Sequence, residues 1–132
     1  MKYILDTDTL IYFLKGNENI VECVTKYLPE NIATTIINHS ELFFGAFSSA
    51  KKHANIGKIG DFLHNMTILP YCEASSLIFS EQKSLLRKQG KTLADLDLMI
   101  ASIAIKHGGI LVTNNVRHFD RIKKLKIENW FK

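Results

Sequence analysis

A chain of 132 residues, with 46% hydrophobic and 23% charged residues, has the length and composition of one globular domain. Its apolar stretches, such as LMIASIAI at 98–105, are far shorter than the roughly 18 residues of a membrane span. The strand-like run after Met1 does not resemble a signal peptide. We therefore expect a cytoplasmic protein without membrane association. The net charge of +4 does not by itself indicate a nucleic-acid partner, but it becomes informative if the acidic residues are clustered.

Hydrophobic periodicity divides the chain into alternating strands and helices. Strands are predicted at 2–5, 31–38, 66–70, 110–115 and 125–130. Helices are predicted at 9–14, 18–28, 39–49, 51–65, 73–89, 93–109 and 116–124, with stops at Gly90 and at the Gly-Gly pair 108–109. This alternation favours one α/β domain in which helices cover both faces of a parallel sheet.

Polar and acidic side chains stand where the predicted strands end. In an open α/β sheet, ligands bind at the carboxyl ends of the strands, because loops and helix N-termini converge there. The residues that we expect at this edge are Asp6 and Asp8 after the first strand, Glu41 in the helix after the second, Asp95 and Asp97 at the start of the helix before the fourth, and Asn114 and Asn115 after the fourth.

Each of these side chains also has a purely structural interpretation. Aspartates cap helices, asparagines supply turn geometry, and Glu41 could be a solvated helix position, although its setting SELFFGAF is nearly all apolar. The set is harder to explain in this way, because crowded carboxylates repel one another unless a cation neutralises them. An oxygen-only cluster suits Mg²⁺ or Mn²⁺, and substrate phosphate oxygens commonly complete the Mg²⁺ shell, so the pattern indicates phosphoryl chemistry.

Two families of acidic α/β proteins fit the sequence poorly. The stretch DTDTL resembles the DxDx(T/V) signature of haloacid-dehalogenase-type phosphatases, but Leu10 occupies the fifth position. A response-regulator receiver needs an aspartate at the end of the third strand, where MTILPYCE has none.

The ordered set YILDTDTLIYFL, SELFFGA, ADLDLMIASIA, GGILVTNNVRHFDRI and LKIENW resembles PIN-domain ribonucleases, in particular the VapC-type toxins of toxin–antitoxin pairs. The resemblance runs from residue 3 to residue 131. It implies a single PIN domain over residues 1–132, folded as a three-layer α/β/α sandwich with a central, mostly parallel sheet. It also implies endonucleolytic cleavage of RNA that depends on Mg²⁺ or Mn²⁺ and inhibits translation.

The same resemblance assigns roles to residues. Asp6, Glu41 and Asp97 match catalytic, metal-binding acids, and we expect Asp6 and Asp97 to ligate the metal while Glu41 holds a second metal or orients the attacking water. Asn115 is the closest match to a fourth, acidic position, and an amide there can hold a water but cannot act as a base. The predicted supporting residues are Asp8, Asp95, Thr113, Asn114 and His118. Some relatives carry an acid at the position of His118, and a packing role is the favoured interpretation for this histidine.

The implied partners are RNA, a second copy of the chain, and a cognate antitoxin that lies near the active site and carries the DNA-binding domain, so that DNA is met only through it. The segments TLIYFL and ELFFGAF are apolar around more of the helix than one buried face needs, which indicates contact with another chain, unless both helices are sandwiched in the core. Candidate phosphate contacts are Lys51, Lys52, Arg87, Lys88, Lys91, Arg117, Arg121, Lys123 and Lys124.

Two other functions remain open at this point. A non-catalytic PIN-like module that binds RNA without cutting it is suggested by Asn115 in place of an acid. A metal-dependent phosphatase acting on small substrates would use the same carboxylates.

Overall fold

The computed structural model describes residues 2–131, which form five strands and seven α-helices. The strands are β1 (Tyr3–Leu5), β2 (Ile32–Thr35), β3 (Thr67–Leu69), β4 (Ile110–Val112) and β5 (Lys126–Glu128). The helices are α1 (Thr7–Leu14), α2 (Glu18–Lys26), α3 (Ile36–Phe47), α4 (Lys52–His64), α5 (Glu73–Lys88), α6 (Asp95–Lys106) and α7 (Val116–Phe119). The sheet order is β3-β2-β1-β4-β5, and every neighbouring pair is parallel.

The helices form one layer on each face of the sheet. Successive side chains of a strand point to opposite faces, so Ile4 packs in a core cluster with α5 and α6, whereas Leu5 packs in a second cluster with α1 to α4. Both side chains are almost fully buried. The predicted three-layer α/β/α fold class is therefore confirmed, with a sheet that is wholly parallel.

The predicted second strand, 31–38, is wrong in its second half. β2 ends at Thr35, and α3 begins at Ile36, three residues before the predicted start at 39. The cause is local capping: the Thr35 hydroxyl accepts hydrogen bonds from the backbone N–H groups of Ile37 and Asn38, both at 3.2 Å. This N-cap outweighs the preference of two consecutive isoleucines for a strand.

Other predicted boundaries also differ from the structure. β4 ends at Val112 and β5 spans Lys126–Glu128, so the predicted strands 110–115 and 125–130 are each half strand. α1 begins at Thr7 rather than at 9, and α7 ends at Phe119, so the predicted helix 116–124 is less than half helical. The predicted glycine stops are confirmed, since Gly90 and Gly108 follow their helices with φ of 68° and 61°, a conformation that glycine adopts without strain. None of the helices within residues 2–131 has both the length and the apolar character that crossing a membrane requires.

Candidate active site

A cavity of about 360 Å³ opens at the carboxyl ends of β1 and β4. All four residues predicted to be catalytic line this cavity, together with two of the predicted supporting residues. The lining residues are Asp6, Thr7, Asp8, Ile11, Glu41, Asp97, Asn114 and Asn115. The topology explains this convergence, because β1 and β4 are adjacent parallel strands and their carboxyl ends reach the same edge.

Asp6 is the most buried acid of the site, with 7% of its surface exposed. Its Oδ1 accepts hydrogen bonds from the Thr7 backbone N–H and from Asn38 Nδ2, both at 2.9 Å, and its Oδ2 accepts from Thr113 Oγ1 at 2.7 Å. Burial raises the pKa of Asp6 from 3.8 to about 6, the nearby charge of Asp8 adds to the rise, and the donated hydrogen bonds oppose it. Asp6 therefore caps the N-terminus of α1 and also lines the cavity.

Asn38 connects Asp6 to Glu41, and the sequence analysis missed it. This fully buried side chain accepts a hydrogen bond from the Thr35 hydroxyl at 2.7 Å and donates to Thr7 Oγ1 at 2.9 Å, in addition to its bond to Asp6. The Thr7 hydroxyl in turn donates to Glu41 Oε1 at 2.6 Å. One buried amide thus fixes the positions of two cavity carboxylates from different elements.

Asp8 and Thr113 organise the loop after β4. Asp8 Oδ2 accepts a hydrogen bond from the Asn114 backbone N–H at 3.1 Å, and Thr113 Oγ1 accepts from the Asn115 backbone N–H at 3.0 Å while it donates to Asp6. Thr113 is fully buried. The structure thus places Asp8, Thr113 and Asn114 beside the cluster, and the helix-cap interpretation belongs to Asp6 and not to Asp8.

Asp97 enters the cavity from the first turn of α6. Burial raises the pKa of its carboxyl, the charge of Asp8 adds to the rise, and the positive charge of His118 opposes it. His118 is exposed rather than packed in the core, and its Nδ1 lies 2.7 Å from Asn115 Nδ2. The imidazole therefore contacts the Asn115 amide at the edge of the cavity.

Asp95 is the predicted supporting residue that the structure places elsewhere. Its carboxylate does not line the cavity and instead accepts a hydrogen bond from Lys83 of α5 at 2.9 Å. The N-cap of α6 is Ala94, so Asp95 does not cap this helix either.

The chemistry of the donor set fits a hard divalent cation. Carboxylates approach the cavity from three elements, and no Lys or Arg of residues 2–131 lines it, so their negative charge is left for a cation to neutralise. Burial is the main cause of the raised pKa values of Asp6 and Asp97, and the charge of Asp8 adds to both. Across the same residues, no three Asp, Glu, His or Cys side chains are drawn together closely enough to form a ready-made metal cluster. Mg²⁺ keeps several waters and uses one or two protein carboxylates, so acids of the kind that line this cavity are the type of ligand it binds.

Comparison with known proteins agrees with this geometry. The family model of the PIN domain matches residues 3–125. The chain is 37% identical over 132 residues to Ribonuclease VapC2 of Haemophilus influenzae, with 98% of each chain covered. It is 28% identical to the tRNA(fMet)-specific endonuclease VapC of Salmonella typhimurium, again over 98% of each chain. Among solved structures it is similar to a chain of Rickettsia felis VapBC2 bound to a promoter DNA fragment, with a TM-score of 0.91, 33% identity, and coverage of 98% of this chain and 99% of that one.

Proposed function

The chain belongs to the PIN domain family, and we propose that it is a VapC-type endoribonuclease, the toxin of a toxin–antitoxin pair, which hydrolyses RNA with Mg²⁺ or Mn²⁺ and thereby inhibits translation in the cytoplasm. The observation that carries this proposal is the meeting of Asp6, Glu41 and Asp97 in one cavity. Burial holds the pKa of Asp6 at about 6, which is a cost to folding. A binding scaffold has little reason to keep a costly charge, whereas a nuclease needs it.

The residues have distinct parts in the reaction. Asp6 and Asp97, the two cavity acids whose pKa values burial raises, would hold the cation, which when bound polarises the phosphoryl oxygen and acidifies water. Glu41, held through Oε1 by the Thr7 hydroxyl, orients the attacking water toward the scissile phosphodiester. The Asn115 amide, in contact with His118, supplies a hydrogen bond at the fourth position without acting as a base.

The test is cleavage of structured RNAs by the purified protein with Mn²⁺, Mg²⁺ or EDTA. The RNA panel should include an initiator tRNA, because one relative is named for that substrate. We expect internal cuts that EDTA abolishes. Asp6→Asn, Glu41→Gln and Asp97→Asn should each lower the cleavage rate by a factor on the order of 100 or more, because each removes a carboxylate that would hold the cation or orient the attacking water.

Asp95→Asn is the matched control. It removes a carboxylate from the same turn of α6 as Asp97, but from an exposed ion pair outside the cavity. At saturating RNA, cleavage by Asp95→Asn should stay within about twofold of the wild type. Wild-type rates in all three cavity variants would contradict the site assignment. Metal-independent RNA binding without cuts would support the binding module, and phosphate release without internal cuts would support the phosphatase.

The partner part of the proposal is an antitoxin segment and a second copy of this chain. Phe44 and Phe47 on α3 are 72% and 60% exposed, so the excess apolar surface predicted from ELFFGAF is present. An adjoining groove of about 300 Å³ between α1, α3 and α4 includes Glu41 in its lining, so a segment bound there would reach the site. Light scattering of the purified chain tests the dimer. Co-elution with a co-expressed antitoxin tests the second partner, and the double variant Phe44→Ser with Phe47→Ser should abolish this co-elution.

A further inference from the structure

A cleft of about 260 Å³ lies beside the cavity, where the end of α5 meets the start of α6. Three of its lining residues are cations, and the others are apolar or small. Its lining residues are Lys83, Leu86, Arg87, Gly90, Lys91, Thr92, Leu93 and Leu98. We name this feature the α5–α6 cleft.

The α5–α6 cleft carries an excess of positive charge that the protein does not neutralise. Lys83 is paired with Asp95, whereas Arg87 and Lys91 have no acidic partner within 4.0 Å among residues 2–131. A fourth cation reaches the rim, since Arg121 donates a hydrogen bond to the Thr92 carbonyl oxygen. Four cations against one carboxylate make the cleft a site for an anion.

The loop that shapes the α5–α6 cleft is fixed by the backbone. Gly90 takes a φ of 68°, and the N–H of Lys91 donates to the Leu86 carbonyl at 2.9 Å, which ends α5 and turns the chain back toward α6. This turn holds the Lys91 backbone near Arg87 rather than leaving it on a free loop. The two unpaired cations are therefore presented together.

The α5–α6 cleft and the acidic cavity are neighbours on α6. Asp97 lines the cavity, and the next residue, Leu98, lines the cleft. A nucleic-acid strand that places one phosphate at the cavity carboxylates must leave the cavity past one of its walls. The first turn of α6 is one of these walls, and the unpaired Arg87 and Lys91 line the cleft on its far side.

We propose that the α5–α6 cleft binds the RNA strand next to the cleaved bond, with Arg87 and Lys91 contacting its phosphates. This inference rests on the proposed function, since it identifies the anion as the substrate of the neighbouring cavity. RNA is favoured over an acidic polypeptide because the cleft adjoins the carboxylates that would cut it. Lys83, restrained by Asp95, contributes less than the two unpaired cations.

The experiment measures binding without cleavage. A fluorescein-labelled single-stranded RNA is titrated with the full chain in EDTA, and fluorescence anisotropy is followed between about 50 and 200 mM salt. The double variant Arg87→Gln with Lys91→Gln should bind on the order of tenfold more weakly. The slope of log Kd against log salt should fall by about 1.4, or about 0.7 for each phosphate of a single strand that the variant no longer neutralises.

The matched control is the double variant Lys26→Gln with Lys126→Gln. It removes the same charge, from the end of α2 on the opposite face of the sheet and from the start of β5. Wild-type binding by the control, together with unchanged thermal unfolding of both double variants, supports the cleft. Equal losses in both double variants would overturn the proposal, because the binding would then reflect net charge alone.

Two further outcomes are decisive. If fluorescein-labelled polyglutamate binds the wild type more tightly than the RNA does and loses affinity in the cleft variant, the occupant is an acidic polypeptide and the proposal is overturned. If the cleft variant loses RNA affinity but the wild type makes no metal-dependent cuts, the cleft assignment stands and the proposed nuclease activity fails.

Discussion

Replacing Asp6 with asparagine should make the protein more stable at neutral pH while it abolishes cleavage. Burial raises the pKa of Asp6 from 3.8 to about 6, so the folded state disfavours the carboxylate by about 3 kcal/mol. An asparagine oxygen can still accept the hydrogen bonds from the Thr7 N–H and from Asn38. Its amide nitrogen cannot accept the hydrogen bond that the Thr113 hydroxyl donates to Oδ2 of Asp6. Losing that bond costs about 1 kcal/mol, so the expected net gain is about 2 kcal/mol.

The gain should depend on pH in a defined direction. Well below the ordinary pKa of 3.8 the Asp6 carboxyl is protonated in both states, so the wild type carries no penalty. As pH rises from about 4 through 6, the unfolded state loses this proton before the folded state does, and wild type is destabilised relative to the variant. Above about pH 6 to 7 the difference is complete and constant.

Urea unfolding at about pH 7.5 and about pH 4.5, in EDTA, measures the effect. We expect Asp6→Asn to exceed wild type by about 2 kcal/mol at the higher pH, or roughly 7 °C in Tm, and to lose most of this advantage at the lower pH. Adding Mg²⁺ should then stabilise the wild type and leave the variant unchanged. A variant less stable than the wild type at both pH values would refute the argument, because the carboxylate would then be a net stabilising group.

Two further substitutions test the hydrogen bonds around Asp6. Asn38→Ala removes one of the three hydrogen bonds to the Asp6 carboxylate and the acceptor of the Thr35 hydroxyl proton. The free energy of unfolding in urea should therefore fall by about 1 to 3 kcal/mol, and an unchanged value would contradict the bonding described for Asn38. Thr113→Val removes the donor to Asp6 Oδ2, which should raise the pKa of Asp6 above about 6 and move the acid limb of the cleavage pH profile to higher pH. An acid limb that stays in place, in a variant that still folds by circular dichroism, would exclude Asp6 as the group that limits cleavage at low pH.

The positions of Asp6, Glu41 and Asp97 at one edge could be predicted because they depend only on topology. Alternating strands and helices give a parallel sheet, and a parallel sheet brings the ends of its strands together whatever the side-chain contacts are. The choice between Asp95 and Asp97 needed more than topology. Residues two apart on a helix point about 200° away from each other, so only one of the two can enter the cavity. The structure shows which one does so: Asp97 lines the cavity, whereas Asp95 pairs with Lys83 of α5.

The position of Asn38 could not be predicted from the sequence pattern around it. Two isoleucines before it favour a strand, and a strand residue would have no access to Asp6 by this route. The Thr35 cap starts the helix early and turns Asn38 inward, where its amide satisfies three partners. The available signal was the threonine followed three residues later by a polar residue, at the point where a strand leads into a helix. That signal is local and weak, whereas the bond that it makes possible spans 32 residues.

The distribution of charge links the acidic cavity to the basic surface. Four carboxylates, Asp6, Asp8, Glu41 and Asp97, line the cavity, so the remainder of a chain with net charge +4 carries +8. Without a cation the cavity repels the phosphates that the surrounding surface attracts. RNA binding in EDTA should therefore tighten when Asp6 and Asp97 are both changed to asparagine, because two like charges next to the strand are removed. If anisotropy shows unchanged affinity for this double variant at low salt, the strand does not pass over the cavity.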